Sequence, residues 1–394
     1  MKVGAFLDSY QPEDGGGYTM QSELFRALCR NSKSSNHEFV VISRPDARVE
    51  AETKNAGLAW LPYIPLGFFE KFGAFFIRNW PNIRDRLKWR SSFERSARKA
   101  GVEYIWFLGP RAHSIDLPYL TIVLDLQHRK QPWFPEVRDY GEWDTRERLT
   151  APFLRRAAGI ITGTKAGQEE IVQFYQVPED RIFLLPHPTP DYVKAVADDE
   201  GLLKRLGVSP GYLFYPAQFW AHKNHMNLLI AIKQLSDEGL RIPLMLTGSD
   251  FGNQNFVKAK IHELGLDEQV KLLGFVETPE LISLYQNALA MTYLSFFGPE
   301  NLPPLEAFAL GCPVIAAKVD GAEEQIGDAG LLVDPADPEA IADAIRGLYK
   351  DKNLRSDLIA RGRAIATRWS SDDFVKGVFK ILDEFEPIRR NWGS

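Results

Sequence analysis

The run FFGPENLPPLEAFALGCPVIAA, Phe296–Ala317, sets two prolines before a helix-forming stretch and places a carboxylate, Glu306, in the expected first turn. Proline lacks an N–H that would have no intrahelical partner at that position, so Pro303 and Pro304 predict a helix start with Asn301 or Leu302 as its cap. The free amides of such a start, here those of Asn301, Leu302 and Leu305, favour an anion by about 0.3–1 kcal/mol through the helix dipole. Glu306 would repel a phosphate set directly on it. It suits hydroxyls beside the anion, such as those of a nucleotide ribose, and it reads equally as a solvent-facing glutamate. A second run, YPAQFWAHKNH (Tyr215–His225), reads as strand, loop and helix, with Lys223 at the loop's end. A cation there can reach a phosphate, or be an ordinary surface lysine. His222 and His225 lack an evident third ligand, so phosphate contact fits them better than a metal. A third, DGGGY (Asp14–Tyr18), follows a strand, and Gly15, Gly16 and Gly17 permit close backbone approach to a ligand.

These motifs need a scaffold. The 394 residues suffice for two or three domains, and 45% hydrophobic with 25% charged residues is soluble globular composition. A net charge of −5 gives no reason to expect nucleic-acid binding. Cys29 and Cys312 form no metal-type pair and suggest a reducing, cytoplasmic compartment. The beginning, MKVGAFLDSY, reads as a buried strand rather than a secretory segment, and no run approaches the length of a spanning helix.

Apolar runs alternate with amphipathic stretches: Val3–Asp8, Phe39–Ser43, Tyr104–Leu108, Leu120–Asp125 and Gly159–Thr164, then, after a proline- and acid-rich linker at Pro186–Gly201, Tyr212–Ala217, Pro243–Gly248, Val270–Phe275, Ala288–Leu294 and the PVIAA strand. The end, from about Pro338 to Phe385, reads as helical. Alternation of this kind predicts α/β architecture: two doubly wound, Rossmann-like domains with parallel sheets, facing across a cleft. Ligands then bind beyond the carboxyl ends of the strands, where the motifs lie. The expected division is 1–190, 191–370, and a segment 371–394 that returns to the N-terminal domain.

The stretch GPENLPPLEAFALGCPVIAAKVDGAEEQIGDAGLLVDPADPEAIADAI (Gly298–Ile345) resembles the donor-binding signature of family 4 glycosyltransferases, which have the GT-B fold. DLQHRKQPWFPE (Asp125–Glu136), GIITGTKAGQEEI (Gly159–Ile171), VPEDRIFLLPHPTP (Val177–Pro190) and the Lys223–Asn224 loop are also similar to that family. The resemblance implies a nucleotide-diphospho-sugar donor held mainly by the C-terminal domain, an acceptor held mainly by the N-terminal domain, and transfer with retention. It implies that Glu306 holds the ribose, that Asn301, Leu302 and Lys223 hold the diphosphate, and that the Gly15–Gly17 loop closes over it. The family signature has two glutamates separated by seven residues. The first falls on Gly298 and is absent, and Glu300, two positions out of register, is the nearest candidate catalytic carboxylate. An arginine common in the family is Gln218 here. His–Asp at the end of an acceptor-domain strand is Leu124–Asp125, with His128 three residues on as a substitute.

There is no Asp-x-Asp pair, the usual carboxylate clamp for a catalytic metal, so neither a metal nor another cofactor is expected. A retaining front-face reaction asks little of a general base, because the leaving phosphate oxygen can take the acceptor proton. GDP-mannose is the first choice of donor, and a glycan or lipid-linked glycan of surface polysaccharide the expected acceptor. Segment 65–90 interleaves seven aromatic residues with six cations and reads either as core or as a peripheral membrane contact. The rival readings are a non-catalytic nucleotide-sugar scaffold, a GT-B isomerase or phosphorylase, and a dinucleotide oxidoreductase. DGGGYTMQ does not match the Gly-x-Gly-x-x-Gly that the last requires.

Overall fold

The computed structural model describes residues 1–8, 10, 16–63, 90–110, 115–194 and 200–393. Gly15 and nearly all of segment 65–90 lie outside the described residues. Thirteen strands form two sheets among the described residues. The first holds β1 (Lys2–Leu7), β2 (Glu38–Ser43), β3 (Ala59–Pro62), β4 (Tyr104–Phe107), β5 (Tyr119–Ile122), β6 (Gly159–Thr162) and β7 (Ile182–Leu184), in the order 3-2-1-4-5-6-7. The second holds β8 (Tyr212–Pro216), β9 (Leu244–Thr247), β10 (Val270–Gly274), β11 (Ala288–Tyr293), β12 (Val314–Ala317) and β13 (Gly330–Val333), in the order 10-9-8-11-12-13. Every pairing is parallel. Both sheets are therefore doubly wound, and strand order reverses between β1 and β4 and between β8 and β11. Those reversal points open crevices at the carboxyl ends.

Helices cover both faces, so the central strands are apolar on both sides: all four residues of β4 and of β12 are buried. β3, β7 and β13 escaped the sequence reading because they are short and only partly buried. The first helix runs Gly16–Asn31, two residues earlier than the periodicity of Tyr18–Arg30 indicates. Among the described residues no helix is long and apolar enough to cross a membrane.

The last helix, Ser371–Arg389, packs on the first sheet. Phe374, Val375, Val378 and Leu382 join Val3, Ala5, Leu24 and Leu28 in one core cluster. The Phe379 and Phe39 ring centroids lie 5.3 Å apart, and Arg30 pairs with Asp372 at 2.7 Å. Ser370 caps this helix by accepting from the Asp373 amide. Phe374→Ala should therefore destabilise the N-terminal domain by about 3–5 kcal/mol. Hydrogen exchange should accelerate in β1 and β4 and stay unchanged in β8 and β11; equal acceleration in both sheets would contradict the packing.

Candidate active site

The helix predicted behind the two prolines runs Leu302–Leu310, with Asn301 as its N-cap residue. Lys223 reaches its entrance from the loop after β8. Its Nζ donates to the Tyr293 hydroxyl at 2.8 Å, and that hydroxyl donates to Asn301 Oδ1 at 3.1 Å. Asn301 Nδ2 in turn donates to the Gly298 carbonyl at 2.9 Å. The loop holds this pose because Asn224 adopts φ 58°, a conformation asparagine tolerates, and its side chain donates to the Leu294 and Pro335 carbonyls. Asn301 lines a pocket together with Tyr293, Gly298, Pro304, Val319 and Gln325, and Lys223 is tied to that pocket through the Tyr293 hydroxyl, while Leu302 begins the helix behind it.

Two details differ from expectation. The Asn301 amide is not free: it donates to Gln325 Oε1 at 3.0 Å, and Gln325 Nε2 returns a bond to the Asn301 carbonyl at 2.7 Å. Because the helix begins at Leu302, Glu306 stands in its second turn rather than its first. It is only 7% exposed, and its carboxylate accepts from Tyr285 at 2.7 Å and from Tyr192. Burial raises its pKa, and the two hydroxyls oppose that rise.

Gly298, at the place of the missing first glutamate, has φ 133°, and a Cβ there would lie 2.6 Å from Asn301 Oδ1. The backbone itself excludes a side chain at this point. Glu300 does not face the pocket. It crosses to the N-terminal domain, where Oε1 accepts from the His187 amide at 2.7 Å and Oε2 rests over Gly163. A Cβ on Gly163 would fall 1.5 Å from that oxygen, so any side chain there would displace the Glu300 carboxyl. Burial pushes the Glu300 pKa up to about 8, which makes it a neutral carboxyl at pH 7. Gln218 is half-buried, with Oε1 accepting from Trp220 Nε1 at 3.0 Å.

On the N-terminal side, Asp125 is exposed at the end of β5 and accepts from the Gln127 amide at 3.0 Å. His128 turns inward, 3% exposed, with Nε2 2.9 Å from the Tyr175 hydroxyl and Glu147 close by. Its place is the interior of its own domain rather than the cleft, because Tyr175 and Glu147, distant in sequence, supply its partners. Gly16 and Gly17 open the first helix.

The sequence reading missed the contacts that join the two sides. Glu324 accepts from the Lys165 and Ala166 amides at 2.8 and 3.1 Å, at the N-terminus of helix Lys165–Tyr175. Lys130 lies 2.6 Å from Asp320 and 3.5 Å from Glu170, a buried acid whose pKa rises to about 7 through burial. Glu136 accepts from the His222 amide at 3.1 Å and from His222 Nδ1. None of these pairs is close in sequence, so no local pattern announces them. His225, by contrast, is stacked on Phe219 with centroids 4.8 Å apart and is buried, so it forms no metal pair with His222. Among the described residues the one three-residue cluster with metal-ligand geometry is His37, Asp383 and Glu386, at the opposite ends of the strands.

A sequence model described as "Glycosyl transferases group 1" matches residues 205–365, the half that holds Lys223 and Glu306. The O-antigen chain mannosyltransferase B of Escherichia coli is 33% identical over 222 residues, covering 55% of this chain and 58% of that protein. The D-inositol 3-phosphate glycosyltransferase of Pseudarthrobacter chlorophenolicus is 33% identical over 295 residues, covering 73% of this chain and 67% of that protein. The crystal structure of HepE from Anabaena in complex with UDP-glucose aligns with a TM-score of 0.70 at 18% identity, covering 98% of this chain and 100% of that one. With the fold, the pocket and this extent of likeness in agreement, the chain belongs to the group 1 glycosyl transferases.

Proposed function

We propose that the protein is a retaining glycosyltransferase that moves a hexose from a nucleotide-diphospho-sugar to a glycan or lipid-linked glycan of surface polysaccharide. The observation that carries this reading is the Lys223–Tyr293–Asn301 chain set at the entrance of helix Leu302–Leu310. A lysine and a helix N-terminus aimed at one point suit a diphosphate, and Glu306 lies one turn further on for ribose hydroxyls. Binding would require the ribose to take Glu306 from Tyr192 or Tyr285. GDP-mannose is the first donor to test, a choice supported by the named activity of the Escherichia coli relative. The complex of HepE makes UDP-glucose the second. The leaving diphosphate is neutralised by Lys223 and the helix rather than by a metal. A cytoplasmic protein with peripheral membrane contact through 65–90 belongs to the same reading and rests on composition alone.

The departures at Gly298 and Gln218 favour a second reading, a nucleotide-sugar-binding scaffold without turnover. A thermal-shift panel of nucleoside diphosphates and sugar nucleotides, followed by a transfer assay, separates the two. Ligand at 100 times its Kd should add about 2.7 kcal/mol of stability in either case. Turnover that persists in EDTA supports the metal-free transferase; binding without turnover supports the scaffold.

Lys223→Ala should lower kcat more than it raises donor KM, because the charge it meets develops as the glycosidic bond breaks. Steady-state kinetics with the best donor checks this, and an unchanged kcat with raised KM would reduce Lys223 to a binding contact.

Glu300 acts in this reading as a neutral latch between the domains. Its pKa is about 8 in the folded protein and about 4.3 in an unfolded chain. The folded state then keeps a proton that the unfolded state releases, so stability falls as pH rises from the lower value through the higher. Glu300→Gln keeps the group neutral, and its melting temperature relative to wild type should climb between pH 5 and pH 9. A difference independent of pH would show that the wild-type group is already ionised.

A further inference from the structure

The geometry points to a divalent-cation site at the amino ends of the first sheet's strands, formed by His37, Asp383 and Glu386 and suited to a first-row ion such as Zn²⁺. It goes beyond the transferase reading and does not rest on it. The pocket beside helix Leu302–Leu310 lies instead at the carboxyl ends of β11 and β12, in the other domain.

Three elements meet at the cluster. β1 starts at Lys2, and His37 immediately precedes β2. Asp383 and Glu386 are three residues apart on the last helix, Ser371–Arg389, and so share one of its faces. One ring nitrogen of His37 and one oxygen of each carboxylate lie within 4.8 Å of one another. The His37 side chain is fully buried, whereas those of Asp383 and Glu386 are half-exposed and open to an entering ion.

The histidine separates this cluster from an ordinary surface ion pair. Its Nε2 is buried and makes no hydrogen bond among the described residues, although Asp383 Oδ1 is only 3.2 Å away. The carboxylate therefore stands beside the axis of the nitrogen rather than on it. Metal bonds of about 2.0–2.1 Å set neighbouring ligands of a tetrahedron about 3.3 Å apart, which is the relation these two atoms already have. Asn36 Nδ2 donates to the same Asp383 oxygen at 3.4 Å and steadies it from outside. Burial and the Met1 ammonium hold the His37 pKa below its ordinary value, with Asp383 and Glu386 acting against them. The ring is therefore neutral at pH 7 and able to ligate. Met1 N is 3.3 Å from His37 Nδ1 and 3.5 Å from Glu386 Oε1, so the cluster already receives a cation. Ligation through Nε2 puts the ring proton on Nδ1, and the ammonium then turns aside or gives up its own proton.

One imidazole with two carboxylates suits Zn²⁺ and its first-row neighbours, while Mg²⁺ and Ca²⁺ favour all-oxygen sets. Such an ion is a clip rather than a catalyst. It ties the helix that returns from the C-terminal half of the chain to the β1–β2 edge, and its binding free energy adds to folding.

The full chain, stripped with EDTA and exchanged into metal-free buffer, is titrated with ZnCl₂ by calorimetry and by thermal melting. One site of micromolar or tighter affinity is expected, and Zn²⁺ at 100 times its Kd should raise the melting temperature by about 5 °C or more. Equal Mg²⁺ should not. His37→Gln, Asp383→Asn and Glu386→Gln should each weaken Zn²⁺ binding by at least about tenfold. His262→Gln, at the exposed pair with Asp267, should leave it unchanged. The two carboxamide variants alter half-exposed side chains and keep the test decisive if His37→Gln fails to fold. No Zn²⁺-induced rise in the wild type, or the same rise and affinity in the ligand variants, overturns the site.

Discussion

Two positive ends face each other at the mouth of helix Leu302–Leu310: the Lys223 ammonium and the helix's own N-terminus. Left alone they repel. The Tyr293 hydroxyl and the Asn301 amide group lie between them as aligned dipoles, each accepting from the positive side. That arrangement holds the lysine without neutralising it, which is the electrostatic state of a site waiting for an anion. Much nearby structure serves it. Asn224 takes a left-handed backbone to turn the loop, Gly298 takes φ 133° to bring its carbonyl under Asn301, and Gln325 pins the Asn301 backbone from both sides.

Across the cleft the pattern inverts. Carboxyl groups from one domain sit on N–H groups or cations of the other: Glu324 on Lys165 and Ala166, the neutral Glu300 on His187, Glu136 on His222, and Asp320 on Lys130. Each exposed pair is worth little in water, but partial burial raises the cost of leaving any one unmade. Among the described residues these directional bonds join the two domains, beside the aromatic contact of Phe134 with Phe296. Such an interface can open without exposing core, as substrate entry requires.

How much of this was legible depended on range. Strand alternation, the helix after Pro303–Pro304 and the Lys223 loop are local patterns, and each appears where the residues place it. Glu306 misled by a single turn, because the helix starts one residue before the prolines, and its partners Tyr192 and Tyr285 are far off in sequence. His128 looked available beside Asp125, yet Tyr175, 47 residues away, claims it. Glu136 and His222 are 86 residues apart and lie within two quoted motifs. Nothing in either motif indicates that they meet.

The absence of a glutamate at Gly298 is a backbone decision rather than a simple substitution. A side chain there would be strained and would strike Asn301, the residue that transmits Lys223 to the helix. With Gln218 spent on Trp220 as well, this pocket offers a diphosphate fewer charged side chains than the family signature does. The deficit has to be met by field strength instead of charge count. Coulomb interactions strengthen roughly fourfold when the effective dielectric falls from about 80 to about 20. In the proposed transferase, one lysine and one helix end would serve a diphosphate best with water excluded, and the carboxyl contacts between the domains would favour that exclusion.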